Sequence, residues 1–181
     1  TNIHKAYFDA GSNVVCTNTF GANCLKFNDD QLEEIIKAAI ANAKKAREQS
    51  VQKGEKFIAL DIGPSGKLLK PLGDLDFEDA VNVFAKTVKL GVKYGVDLII
   101  IETMNDSYET KACVIACKEE SSLPIFVTNV YDKGGKLLTG GDIVSTISML
   151  EGLGVDAIGM NCSFGPDVML KLVDKFVKYS S

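Results

Sequence analysis

The chain has 181 residues, 46% of them hydrophobic and 24% charged, with a formal net charge of −4. That is the composition of one globular domain with room for a sizeable core. It excludes a strongly basic nucleic-acid surface or polybasic membrane patch, and no apolar run approaches the roughly 20 residues of a membrane span.

Five cysteines, an odd number at irregular spacing, do not form the framework of a small secreted protein. Reduced thiols and a cytoplasmic location are the expectation. The first residue is Thr1, and the opening residues read as the inside of a helix, so an earlier segment of chain is expected.

Residues 1–11 close with Ala10-Gly11, a glycine helix stop. Asn13–Phe20 is rich in β-branched and aromatic residues and reads as a strand, followed by the loop Gly21-Ala22-Asn23. Asp29 and Asp30 are placed to cap a helix running to about Ser50, with Leu32, Ile35, Ile36, Ala39, Ile40 and Ala43 forming its apolar stripe.

Phe57–Ile62 is the second predicted strand. The loop after it, from Gly63 to about Gly73, is longer than most such connections and is a candidate functional loop. A helix is predicted over Phe77–Tyr94, with Val81, Phe84, Val88 and Val92 inward and Gly95 as its stop. Val96–Ile101 is almost wholly apolar and reads as a strand covered on both faces, leading into Glu102-Thr103.

Ser107 is placed to cap the next helix, which runs to about Glu120. Pro124–Val130 is the fourth strand, and Ile143–Leu153 is a helix with Ile143, Ile147 and Leu150 inward. Val155–Met160 reads as a buried strand, and a last helix spans about Asp167–Tyr179.

Strand–helix alternation with apolar strands implies a parallel sheet with right-handed crossovers. Periodicity alone leaves two architectures, an open doubly wound sheet and part of an eight-stranded α/β barrel. No glycine-rich nucleotide fingerprint follows any strand.

Parallel strands end on one rim, where α/β folds place their chemistry. This rim collects Thr17, Asn18, Thr19, Asp61, Glu102, Asn129, Asn161 and Cys162. Each member alone also reads as a polar strand end or a helix cap. Together they suit a small zwitterion, with Glu102 able to pair with an ammonium group. Cys162 falls between a strand end and a helix start, where thiolate is favoured over thiol, although buried cysteines are mostly inert. Cys113 and Cys117 share a helix face and read as core; Cys16 also reads as core, and Cys24 is a weaker rim candidate. His4 is the only histidine, so a histidine-based triad within these residues is excluded.

Five motifs in this order carry a resemblance across essentially the whole chain. They are T-N-T-F-G-A-N (Thr17–Asn23), D-I-G-P-S-G (Asp61–Gly66), E-T-M (Glu102–Met104), L-T-G-G-D (Leu138–Asp142) and G-M-N-C-S-F-G-P (Gly159–Pro166). The sequence resembles the homocysteine-binding domains of the homocysteine S-methyltransferase family, in its cobalamin-dependent branch, the methionine synthases.

That resemblance implies a (β/α)8 TIM barrel, of which this chain carries strands two to six as a single incomplete domain over residues 1–181. Strand one and strands seven and eight are absent from it, and a whole barrel needs about 250 residues. The implied reaction is methyl transfer from methylcobalamin to homocysteine, giving methionine, with the substrate sulfur activated as a zinc thiolate. Cys162 matches one of three zinc-binding cysteines; the other two, an adjacent pair in a G-G-C-C motif, are missing here, so the site is incomplete and the chain alone is expected to be inactive.

By the same resemblance, Glu102 takes the substrate's amino group, Thr19 and Gly21 its carboxylate, and Asp61 and Asn161 shape the pocket. Cobalamin is expected on another domain, making a methylcobalamin-carrying domain the implied partner. No nucleic-acid or membrane partner is expected, and self-association through open strand edges is. Another methyl donor within the family is left open.

Overall fold

The computed structural model describes residues 1–181 as one α/β unit. Its elements in chain order are α1 (Asn2–Asp9), β1 (Val14–Cys16), α2 (Asp29–Gln49), β2 (Phe57–Ile62), α3 (Phe77–Tyr94), β3 (Leu98–Met104), α4 (Ser107–Glu120), β4 (Ile125–Asn129), α5 (Ile143–Gly152), β5 (Ala157–Met160) and α6 (Pro166–Tyr179). All five strands are parallel and pair in the order β1-β2-β3-β4-β5.

That order decides between the two architectures. A doubly wound sheet reverses its strand order at a switch point, whereas a barrel adds each strand beside the last. Here the order never reverses. With right-handed crossovers the helices then lie on one face of the sheet, as the outer layer of a partial barrel.

Strand alternation divides the sheet accordingly. Ile58, Leu60, Ile62, Ile99, Ile101, Ile125 and Val127 point outward into one core with Leu32, Ile36 and Ile40 of α2, Phe84 and Val88 of α3, and Ala112 and Ala116 of α4. At the closest approach, a Cβ on Gly91 of α3 would lie 2.5 Å from Leu60 Cδ2, so only glycine lets that helix sit so near the sheet. The opposite face carries Asp61, Ile100, Phe126 and Ala157 in one register row. It is the concave face, and Ile100, Glu102, Phe126 and Thr128 on it are only half-buried.

Several expectations change at the element ends. The first strand closes at Cys16 instead of Phe20, because the Thr17 and Thr19 hydroxyls turn the chain toward the end of β2. Cys16 is therefore a half-buried strand end. The α2 cap is Asn28, in a capping box with Gln31, while Asp29 and Asp30 lie in the first turn beside the positive helix end. Asp106 caps α4 through Tyr108 N–H, so Ser107 lies inside the helix. Val92 of α3 points outward, 41% exposed. β3 runs three residues past Ile101 through a register shift, carrying Glu102 and Thr103 as strand residues. β5 is half-buried throughout, where a buried strand was expected, because it is the sheet's edge. Phe57–Ile62, Phe77–Tyr94 and the left-handed Gly95 stop agree with the sequence.

Candidate active site at the C-terminal rim

The rim residues are joined by two polar assemblies. At the ends of β1 and β2, the Thr17 hydroxyl lies 2.7 Å from that of Thr19, the Thr19 hydroxyl donates to the Asp61 carbonyl at 2.7 Å, and Asp61 N–H donates to Thr17 Oγ1 at 3.1 Å. This ring orders the turn that follows. Gly63 N–H donates to the Phe20 carbonyl at 2.9 Å, and Ala22 N–H to that of Thr19 at 2.8 Å. The amides of Phe20 and Gly21 are left with no acceptor in the chain. The Thr19 hydroxyl proton is committed to Asp61, so what this turn offers a ligand is backbone N–H.

The second assembly joins strands that are not neighbours. Asn161, just past β5, reaches across the end of β4 to Thr103. Its Oδ1 accepts from Thr103 N–H at 3.2 Å and its Nδ2 donates to Thr103 Oγ1 at 2.8 Å. Asn161 N–H donates to the Asn129 carbonyl at 3.2 Å. Cys162 Sγ lies 3.8 Å from Thr103 Oγ1 and 3.5 Å from Asn161 Nδ2. Thr103 and Cys162 are the only non-glycine residues at positive φ, at 64° and 51°. Such backbone is costly for side-chain-bearing residues, above all a β-branched one, and it turns the Cys162 thiol into the open, where it is exposed. Ser163 Oγ, accepting from Tyr131 N–H at 3.0 Å, pins the next residue. Thr103 and Ser163 stand inside the motifs E-T-M and G-M-N-C-S-F-G-P, next in sequence to Glu102 and Cys162, and no local pattern marks them out.

Between the two assemblies lie the carboxylates. Asp61 is 7% exposed and its Oδ1 has no hydrogen-bond partner. Burial, then the negative Glu102, pushes Asp61 up to about 7. The Cys16 thiol is pushed up to about 12 by burial and by the same two carboxylates. A buried carboxylate with an unfilled oxygen, beside a second acid on a concave face, suits a cationic guest.

The rim thus brings together Thr19, Gly21, Asp61, Glu102, Asn161 and Cys162, though in two groups. It does not make a zinc site alone: no three histidine, cysteine, aspartate or glutamate side chains converge to hold a metal. Cys113 and Cys117 are fully buried in the core, and Cys24 packs against it. Cys162 is one ligand's worth of chemistry.

A parallel sheet of unreversed order, with polar groups at its carboxyl ends, is the layout of a barrel enzyme. The sequence profile described as homocysteine S-methyltransferase matches residues 1–181, and the chain belongs to that family. It is 29% identical over 177 residues to the methionine synthases of Mycobacterium leprae (strain TN) and Mycobacterium tuberculosis (strain ATCC 25618 / H37Rv), covering 92% of this chain and 15% of each of those proteins. The fold is shared with the homocysteine methyltransferase MmuM from Escherichia coli. The metallated form superposes with a TM-score of 0.86 at 19% identity and the apo form with 0.84 at 20%; both cover 99% of this chain, and 67% and 66% of MmuM respectively.

Proposed function

We propose that residues 1–181 are the homocysteine-binding part of a methionine synthase, in which the methyl group comes from methylcobalamin carried on another domain. The observation that carries this reading is the bipolar rim. Glu102 and the unfilled Asp61 carboxyl face the substrate ammonium, the free Phe20 and Gly21 amides take its carboxylate, and the Cys162 thiol stands exposed at the β5 end. Thr19 acts through its hydroxyl, which fixes the turn bearing those amides. Asn161 positions Cys162 and Thr103.

Zinc is the metal of this reading, and Cys162 is one of its thiolate ligands. The remaining ligands, with the strands that complete the barrel, lie outside residues 1–181. Zinc, where bound, holds a substrate thiol as thiolate near neutral pH. These residues by themselves are inactive and bind the amino-acid end of the substrate. A cytoplasmic location belongs to the same reading, and the unpaired edges of β1 and β5 are the route by which the isolated unit self-associates.

Zinc content and homocysteine binding of the full-length protein test the reading. About one zinc per chain, lost in Cys162→Ser, together with saturable homocysteine binding, is expected. Full zinc occupancy in Cys162→Ser would remove the thiolate from the site.

A further inference from the structure

We infer that Lys26 is a substrate-binding residue, supplying the cation that pairs with the α-carboxylate of homocysteine. This assignment rests on the reading of the rim given above and adds to it a charged group.

Three observations meet at one place. The turn after β1 presents the Phe20 and Gly21 amides with no acceptor in the chain, and two adjacent N–H groups without partners form an anion-binding concavity. Directly over that turn lies the Lys26 ammonium. A Cβ on Gly21 would be 3.4 Å from Lys26 Nζ, and one on Gly66, in the loop after β2, would be 3.9 Å from it. The lysine thus runs in a channel between two glycines, one from each rim loop. Lastly, Lys26 is without a carboxylate in the chain: eight ion pairs form, and none includes it, nor does any hydrogen bond from its side chain.

The charge pattern sets the ligand class. The same rim carries Asp61 and Glu102 on β2 and β3, and the Thr17–Thr19–Asp61 ring ties the cationic turn to the anionic strand end. A positive pole and a negative pole on one rim suit a zwitterion such as an α-amino acid, whose carboxylate and ammonium leave one carbon. The side chain of the guest, with its sulfur, is then free to extend along the rim toward β5 and Cys162.

Homocysteine and 3-aminopropane-1-thiol, which is homocysteine without its carboxylate, separate this role from a structural one. Their dissociation constants are measured by calorimetry on the full-length protein and on Lys26→Met and Lys26→Arg. Lys26→Met weakens homocysteine on the order of fivefold to tenfold, the scale of one charge-assisted hydrogen bond at a partly exposed site. It leaves the aminothiol unchanged, and Lys26→Arg restores most of the homocysteine affinity. Equal weakening of both ligands, or of neither, overturns the assignment while leaving the substrate reading intact. If the wild-type protein binds the aminothiol and not homocysteine, both fall.

Discussion

Asn161 and Thr103 are joined by two hydrogen bonds, at 2.8 and 3.2 Å, although their strands are separated by β4. One carboxamide therefore draws the C-terminal ends of β3 and β5 together and holds Thr103 at a φ of 64°, a backbone region a β-branched residue rarely enters. Asn161→Ala removes both bonds and the restraint on Thr103. The expected loss is about 1–3 kcal/mol, or a fall in Tm of several degrees for a chain of this size. Thermal unfolding of the two proteins checks it, and an unchanged Tm would show that the strap carries no load.

Thr19 is the counterpart at the other end of the rim. Thr19→Val keeps the shape and removes the hydroxyl that donates to the Asp61 carbonyl at 2.7 Å. In a site only 1% exposed this costs about 1–3 kcal/mol. It also frees the Phe20–Gly21 turn, so homocysteine binding weakens with stability. Thr19→Ser keeps the ring and restores both. Recovery of stability without recovery of binding would separate the turn from the ligand.

The sequence revealed the helices and the barrel-type alternation because apolar residues at helical spacing, and glycine stops such as Gly95, are local signals. Its rim residues were legible as a set for the same reason: parallel strands end on one side. Strand ends were not legible. β1 stops at Cys16 because of hydroxyl bonds from Thr17 and Thr19 to a segment 42 to 44 residues away. Likewise the strap at Thr103 depends on a partner 58 residues distant. The raised Asp61 acid comes from enclosure by other elements, which no local pattern encodes.

Thiol chemistry offers a separate check. Of the five cysteines, Cys162 alone is exposed, Cys113 and Cys117 are fully buried, and Cys16 is pushed up to about 12. Thiolate, not thiol, attacks a disulfide reagent. On folded residues 1–181 without zinc, an aromatic disulfide reagent at pH 8 is therefore expected to show one fast thiol, absent in Cys162→Ser, with the others reacting after unfolding. A fast phase that survives Cys162→Ser would place a second accessible thiolate on the surface, with Cys24 the next to substitute.

Asp61 carries a pH dependence of its own. Its acid is raised from an ordinary 3.8 to about 7, first by burial and then by Glu102. Between about pH 4 and pH 7 the folded state holds a proton there that the unfolded chain has released, so stability falls as pH rises through that window and levels off above it. The Cys16 thiol is neutral in both the folded and the unfolded chain across this window and adds no slope; Glu109, raised by burial, adds to the decline, and His4, lowered by burial, opposes it. A shift of about three units corresponds to at most about 4 kcal/mol. Asp61→Asn removes the charge and keeps the shape, so it flattens this decline and is more stable than the wild type at pH 8. Homocysteine, which brings an ammonium to the ionised pair, also flattens it. Denaturant unfolding at pH 5, 6, 7 and 8 measures both effects; a wild-type slope that persists in Asp61→Asn would assign the titration to another group.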